Sequence, residues 1–180
     1  MTFPSLHDDE HFCFVTASIV GWKHLFATPI YRQVVLDSLI WLRKEKRISL
    51  YVFVIMSSHL HLILKPIDRK IGQVLKDFGG FTAHAILKEL KRENQAELLR
   101  FFHENRRDSR HKHSIWQDIQ AKNIFTQDVF LQKMECIHQN PLVANLVEDR
   151  ADYLYSSASF YDREEMPTIE IDDARNVLYW

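Results

Sequence analysis

The chain has little cysteine, no long hydrophobic run and no leader-like N-terminus. Cys13 and Cys136 are the two cysteines among 180 residues, which fits a reducing compartment. No apolar run approaches the roughly 20 residues that span a bilayer. The first ten residues are acidic and lack the basic and apolar regions of a signal peptide. These absences predict a cytoplasmic protein that has no membrane as a partner.

Internal repeats, low-complexity stretches and linkers are also absent. With 46% hydrophobic and 26% charged residues, the chain predicts one globular domain over residues 1–180. Residues 1–147 hold 20 of the 23 Lys and Arg and 15 of the 24 Asp and Glu. The prediction is therefore a mildly basic body, able to bind a polyanion, with an acidic C-terminal extension from about residue 148. A solvated surface with scattered charge explains the same counts.

Hydrophobic periodicity predicts the element order β-α-β-β-α-β-α. The predicted strands are 11–19, 48–56 and 59–66, with a fourth around 115–116 or 121–124, and the predicted helices are 31–46, 69–102 and 127–140. Gly79 and Gly80 predict a kink or a close packing contact, and Pro141 predicts the end or a bend of the last helix. With a hairpin at residues 57–58, this order is typical of a ferredoxin-like α+β fold, an antiparallel sheet with helices on one face.

Two histidines lie one residue apart inside an apolar strand. Because side chains alternate along a strand, His59 and His61 share one face, while Leu60 and Leu62 point the other way into a core. Burying two titratable rings in so apolar a strand is unfavourable unless they have a use. A pair of imidazoles on one strand face can bind a divalent metal ion. The plain alternative is a pair of half-buried structural histidines.

A third ligand can come from the last helix. Asn140 lies four residues after Cys136, so the two share one helix face. An amide oxygen with two imidazoles makes a mixed nitrogen and oxygen site, which suits Mg²⁺ or Mn²⁺ better than a closed zinc site. The structural alternatives are that Cys136 is a small apolar filler and that Asn140 caps the helix before Pro141.

Several collinear stretches resemble one known family. Residues 54–64 (VIMSSHLHLIL) are similar to its strand V-M-P-N-H-V-H-L-L, residues 137–147 (IHQNPLVANLV) to its Y-I-H-x-N-P-V-x-A-G-L-V, and residues 152–158 (DYLYSSA) to its D-Y-x-Y/W-S-S-A. Residues 16–18 and 24–26 stand where that family has its first strand and the turn after it. The family is the single-tyrosine HUH transposases, and the REP-associated tyrosine transposases are the branch that this chain resembles most.

This resemblance implies a fold, a partner and a chemistry. The implied fold is the HUH version of the ferredoxin-like sheet, and the implied partner is single-stranded or hairpin (palindromic) DNA. In that family a tyrosine attacks a phosphodiester and forms a 5′-phosphotyrosyl link, while a divalent metal polarises the phosphate. Carried over to this chain, the metal ligands for Mg²⁺ or Mn²⁺ are His59, His61 and Asn140. Relatives include monomers and homodimers, so both stay open here.

The tyrosine of the family is absent from its place, four residues before Asn140, where this chain has Cys136. The leading hypothesis is that the protein binds DNA hairpins without ordinary cleavage. The second is that Tyr153, Tyr155 or a tyrosine of another subunit reaches the phosphate. The third, that Cys136 itself attacks, is the weakest, because a phosphodiester is a poor partner for a soft thiolate.

A basic stretch before the fourth strand offers phosphate contacts. The candidate DNA-binding residues are Arg106, Arg107, Arg110 and Lys112, with Trp116 as a base-stacking platform. A solvated loop explains the same charges. Two further functions stay open for the whole chain: a regulatory DNA-binding module that uses no metal, and a small metallohydrolase whose histidines activate water.

Overall fold

A four-stranded antiparallel sheet forms the centre of the computed structural model, which describes residues 11–68, 70–106 and 112–178. The strands are β1 (Phe12–Ile19), β2 (Ile48–Ile55), β3 (His59–Pro66) and β4 (Trp116–Ile124), and their order in the sheet is β2-β3-β1-β4. The α-helices of these residues are α1 (Pro29–Lys44), α2 (Ile71–Arg92), α3 (Ala96–Glu104), α4 (Gln127–Val143) and α5 (Ala158–Arg163). The predicted ferredoxin-like fold with its antiparallel sheet is confirmed, but the prediction that the helices lie on one face is wrong, because α4 packs on the face opposite α1 and α2. In the described ranges, none of the helices has both the length and the apolar character that crossing a bilayer requires.

Helices α1 and α2 cover one face of the sheet. Leu60 and Leu62 of β3 are fully buried on this face with the apolar residues of β1, α1 and α2, as predicted. Helix α4 packs on the opposite face, where Phe130 and Ile137 meet Val54 of β2. The histidine-bearing face of β3 is therefore the one that lies under α4.

The register of β1 and β3 fixes the neighbours of the two histidines. His61 pairs with Thr16, and His59 pairs with Ser18. Because directly opposed residues of antiparallel strands project to the same side, these four side chains share one face. On the other side of β1, Gln120 of β4 pairs with Thr16. The histidines thus lie in a group of polar side chains that starts at the beginning of β3.

The prediction of one continuous helix over 69–102 is wrong, because the segment forms two helices. Helix α2 ends at Arg92 and α3 begins at Ala96, because Asn94 turns the chain with a φ of +54°. Helix α2 runs unbroken through Gly79, and none of its residues has a positive φ, so nothing in its backbone marks the predicted kink. Its alternative, close packing, is correct: a Cβ on Gly79 would lie 2.7 Å from Cδ1 of Ile119.

Helix α4 continues to Val143 instead of ending at Asn140. Pro141 has no N–H, so the carbonyl of Ile137 lacks its usual helical donor. The side-chain Nδ2 of Asn140 lies 3.5 Å from that carbonyl oxygen and partly replaces the missing donor. A proline is therefore accommodated in the helix by the residue that precedes it.

The C-terminal segment runs along the outer edge of β2. Ile55 donates its N–H to the carbonyl of Tyr155 at 2.9 Å, and Asp172 donates its N–H to the carbonyl of Leu50 at 2.7 Å. Many acidic residues of this segment pair with arginines: Glu170 and Asp172 with Arg43, Asp162 with Arg150, and Asp149 and Asp152 with Arg163. The segment protects an edge strand and neutralises much of its own negative charge.

Candidate functional site

His59 and His61 lie side by side on the face of the sheet below α4. Their ring centroids are 5.1 Å apart, and both side chains are half-buried. The ring of His61 stacks on Phe14 of β1, with centroids 5.5 Å apart and planes 14° from parallel. The strand alternation that buries Leu60 and Leu62 brings the two imidazoles together here, as the sequence predicts.

Asn140 reaches this pair from α4. Its Oδ1 is 3.4 Å from Nε2 of His59. Its Nδ2 donates to the backbone carbonyl of Cys136 at 2.8 Å, which turns the oxygen of the amide toward the histidine. Among the described residues, no three His, Cys, Asp or Glu side chains form a group that could hold a metal ion. The further oxygen atom beside the two imidazoles is the amide Oδ1 of Asn140.

In each histidine ring, the nitrogen Nδ1 lies within hydrogen-bond distance of a hydroxyl group. The Ser58 hydroxyl is 3.2 Å from Nδ1 of His59, and the Thr16 hydroxyl is 3.0 Å from Nδ1 of His61. When Nδ1 carries the proton and donates to its hydroxyl, Nε2 keeps a lone pair. Partners of this kind orient the histidine ligands of metal sites in general. In this tautomer both rings offer Nε2, whereas in the other tautomer of His59 the Nε2–H donates to Oδ1 of Asn140.

The surroundings keep both imidazoles neutral. Burial lowers the pKa of His61 to about 4, and the charges of His59 and Lys133 act in the same direction. Burial also lowers the pKa of His59, although the hydrogen bond with Asn140 opposes this effect and the charge of His24 adds to it. A metal ion needs the neutral form of the ring, so the donors are in the required state at neutral pH.

The candidate nucleophiles are distributed between two places. Cys136 is exposed on α4, one helical turn before Asn140, as predicted. Tyr153 donates its hydroxyl to the carbonyl of Ile55 at the end of β2, and burial raises the pKa of this phenol. The ring of Tyr155 lies 3.7 Å below the guanidinium of Arg32. The two tyrosines are held in packing contacts at the end of β2, whereas Cys136 is on the same helix as Asn140.

The predicted basic stretch is only partly described. Arg107 and Arg110 lie outside the described residues. Arg106 donates to the carbonyl of His103, and the carbonyl of Lys112 is 2.7 Å from Nδ1 of the same histidine. Their use in DNA binding stays a prediction.

Trp116 lies on the opposite face of the sheet from the histidines. Its indole packs between Phe26 and Phe78, with centroid distances of 5.7 and 5.8 Å. The indole N–H donates to the hydroxyl of Thr82 at 2.9 Å. The geometry favours a packing role for this ring, and the predicted base-stacking role finds no support in these contacts.

The sequence reasoning missed three residues near the histidines. Lys133 lies over the ring of Phe14, 5.1 Å from its centroid, and Lys122 is exposed opposite Phe14 in the β1–β4 ladder. Trp22 lies edge-on to His59, with ring centroids 5.5 Å apart. The spacing of Lys133, three residues before Cys136 and seven before Asn140, would have placed it on their helix face. Trp22 has no comparable signal, because it lies in an irregular turn.

No protein-family model matches the chain, and no curated protein is significantly similar to it in sequence. Among solved structures, the chain superposes on a REP-associated tyrosine transposase bound to a REP hairpin with a TM-score of 0.65, at 15% sequence identity, over 96% of this chain and 92% of the other. A candidate transposase from Deinococcus radiodurans gives a TM-score of 0.46 at 12% identity, over 77% of this chain and 97% of the other. The first structure confirms, at the level of the fold, the resemblance predicted from the sequence.

Proposed function

We propose that this protein binds single-stranded or hairpin DNA and holds one phosphate of the strand at a divalent metal site formed by His59, His61 and Asn140. The observation that carries the proposal is the amide oxygen of Asn140, turned by the Cys136 carbonyl toward Nε2 of His59. The likeness in fold to a transposase bound to a REP hairpin is further support for DNA as the partner.

The donor set fits Mg²⁺ or Mn²⁺. Adjacent ligands of a six-coordinate Mg²⁺ ion are about 3 Å apart, because each lies about 2.1 Å from the ion. The 3.4 Å between Nε2 of His59 and Oδ1 of Asn140 is close to this spacing and long for a hydrogen bond. Two nitrogens and one oxygen leave positions for phosphate and water, which is the usual arrangement of a hard divalent ion.

Each residue around the site has a distinct part in this proposal. Lys133 on α4 and Lys122 on β4 supply positive charge on the same face of the sheet, which attracts a polyanionic strand. Thr16 and Ser58 fix the orientation of the imidazoles. His59, His61 and Asn140 would hold the metal ion, which would polarise a phosphate and neutralise charge on its oxygens. The site therefore combines backbone recognition with a means of activating one phosphate.

The chemistry that follows binding depends on the nucleophile. We propose binding without ordinary cleavage, since Cys136 stands where the resembled family has tyrosine. The contacts of Tyr153 are consistent with this, because a phenol that donates to a backbone carbonyl and has a raised pKa is a weak nucleophile at neutral pH.

A binding experiment tests the metal site. A fluorescent DNA hairpin with a single-stranded tail is titrated with protein and followed by anisotropy, with Mn²⁺ or with EDTA. We expect Mn²⁺ to tighten binding, and H59A and N140A to weaken the metal response more than about ten-fold. H84A is the matched control, because His84 is exposed on α2, away from the histidine face. Affinity that responds neither to metal nor to H59A would favour the metal-free module, and a protein that binds no DNA would refute the proposal.

A second experiment tests the missing nucleophile. C136Y is incubated with the labelled hairpin and Mn²⁺, and a covalent adduct is sought on a denaturing gel. We expect an adduct with C136Y and none with the wild type. A wild-type adduct that survives C136S but is lost in Y153F or Y155F would show that the protein is an active transposase using another tyrosine. Metal-dependent hydrolysis of small phosphate esters, without DNA binding, would favour the metallohydrolase.

A further inference from the structure

Trp22 is exposed beside the candidate metal site in an unusual backbone conformation. Its relative exposure is 55%, and its ring lies 5.5 Å from that of His59 with the planes 71° apart. Its φ is +54°, and that of the preceding Gly21 is +61°. A bulky residue seldom adopts a positive φ, and an indole seldom remains largely in water, so both features are unfavourable for folding.

Hydrogen bonds to two other segments hold this turn in place. Val20 donates its N–H to the carbonyl of Ile115 at 3.0 Å, and Gly21 donates its N–H to Oε1 of Gln117 at 3.1 Å. On the other side of the turn, Phe26 donates its N–H to the carbonyl of Ser57 at 2.8 Å. These bonds connect the turn to β4 and to the hairpin that carries His59. The position of Trp22 relative to the histidine is therefore fixed by the fold.

Packing below the turn also prevents it from relaxing. The ring of Phe101 lies so close to Gly21 that a Cβ there would be 2.8 Å from its Cζ. Lys23 extends over the same ring, with Nζ 5.2 Å from its centroid. The turn thus presents an exposed aromatic ring next to an exposed cation, which is the combination that single-stranded nucleic acid sites use.

We propose that Trp22 is the stacking platform for an unpaired base of the bound strand, next to the phosphate held at His59. This inference rests on the proposed function and deepens it, since it specifies single-stranded rather than duplex DNA at the site. A base within a duplex already stacks on its neighbours and has no free face, whereas an unpaired base can stack on an indole. The strained, solvent-exposed ring then has a use that offsets its unfavourable placement.

The chain offers a matched control for this residue. Trp41 has nearly the same exposure, 53%, but lies on α1, which covers the opposite face of the sheet. Replacing an aromatic ring that stacks on a base by alanine weakens binding by about 5- to 150-fold. We expect W22A to weaken binding of the tailed hairpin by this factor, W22F to restore most of it, and W41A to leave it unchanged.

A coupling experiment distinguishes stacking from a structural role of Trp22. Tailed hairpins carrying one abasic site at successive tail positions are titrated against the wild type, W22A and W22F by anisotropy. We expect one abasic position to weaken wild-type and W22F binding but to have no further effect on W22A. Thermal unfolding of each variant checks that the fold is retained, and if W22A does not fold, W22L, which keeps an apolar side chain without an aromatic ring, replaces it with the same expected result.

The outcomes separate this inference from the function on which it rests. If the wild type binds the tailed hairpin but W22A matches W41A, Trp22 is not a platform and the proposed function stands. Base stacking would also be overturned if W22A bound every abasic probe more weakly than the wild type by the same factor. The same would follow if W22A lost as much affinity for blunt duplex DNA as for the tailed hairpin. A wild type that binds none of these probes would refute the proposed function itself.

Discussion

The two faces of strand β3 have opposite roles, although their residues alternate along one chain segment. Leu60, Leu62 and Leu64 point into the core under α1 and α2 and are almost completely buried. His59 and His61 point the other way and stay half-buried below α4. One face is apolar and closely packed, and the other contains neutral imidazoles, hydroxyls and nearby lysines.

This difference shows how the fold can contain half-buried polar side chains that do not stabilise it. Fully burying a leucine side chain contributes about 1.5–3 kcal/mol to stability, so the leucines of β3 hold the strand rigidly. The imidazoles on its other side contribute less to stability, because they are polar rings that stay half-buried. A strand fixed from one side can therefore carry a polar site on the other.

The largest expected effect comes from exchanging neighbouring residues on the two faces. L62A removes a fully buried side chain, so we expect the free energy of unfolding to fall by roughly 2–5 kcal/mol. H61A removes a half-buried ring that stacks on Phe14, and we expect a loss of about 1 kcal/mol or less. Urea denaturation followed by circular dichroism measures both. Equal losses for the two variants would show that the faces do not differ in this way.

How far the sequence predicts this arrangement depends on the range of the interactions. The alternation of β3 and the spacing of Cys136 and Asn140 are local patterns, so the strand face and the helix face of the site could be predicted. The approach of α4 to β3 joins residues 81 positions apart, and it followed from the family resemblance rather than from periodicity. The exposed ring of Trp22 depends on a turn held by β4 and α3, which no local pattern indicates.

The break between α2 and α3 illustrates the same limit within one element. Residues 91–95 include neither glycine nor proline and are all polar, so no strong helix breaker marks the end of α2. The chain nevertheless turns at Asn94 with a positive φ, which asparagine tolerates better than most residues. Phe102 of α3 is then buried against the core. The packing of α3 against the core thus determines where α2 ends, which the helix propensities of the residues around Asn94 do not indicate.

A substitution of His138, the buried histidine of α4, is expected to have an intermediate effect on stability. Its Nε2 is 2.9 Å from the hydroxyl of Ser157, and burial, assisted by the charge of Arg150 and opposed by Asp162 and Glu135, lowers its pKa from 6.5 to about 4. Because the unfolded chain takes up this proton more readily, stability is complete above pH 6.5 and falls as the pH drops toward 4.

This shift corresponds to at most about 3 kcal/mol. We expect H138Q to be less stable than the wild type at pH 7.5 and to lose less stability between pH 6.5 and pH 4. His61 contributes to the loss in both proteins, since its pKa is also about 4. Urea titrations at several pH values give the free energy of unfolding of each protein as a function of pH, and hence its slope between pH 6.5 and pH 4. Parallel slopes for H138Q and the wild type would mean that His138 does not titrate as its burial requires.

The smallest expected effect distinguishes the charges of the two sheet faces. Lys133 lies above Phe14 on the histidine face, whereas Lys88 is exposed on α2, which covers the other face. Each phosphate contact contributes about 0.7 for a single strand, or about 0.9 for a duplex, to the slope of log K against log salt concentration. We expect K133Q to reduce that slope by about 1 and to weaken binding of the tailed hairpin several-fold, with K88Q unchanged.

The measurement is an anisotropy titration at several salt concentrations and at pH 7.5, where His61 is neutral in both variants because its pKa is about 4. At this pH the substitution changes the charge of Lys133 alone, so a change in slope reports a phosphate contact. If K88Q lowers the slope as much as K133Q does, the strand binds over the helical face or over both faces. The histidine face would then not be the preferred DNA-binding surface.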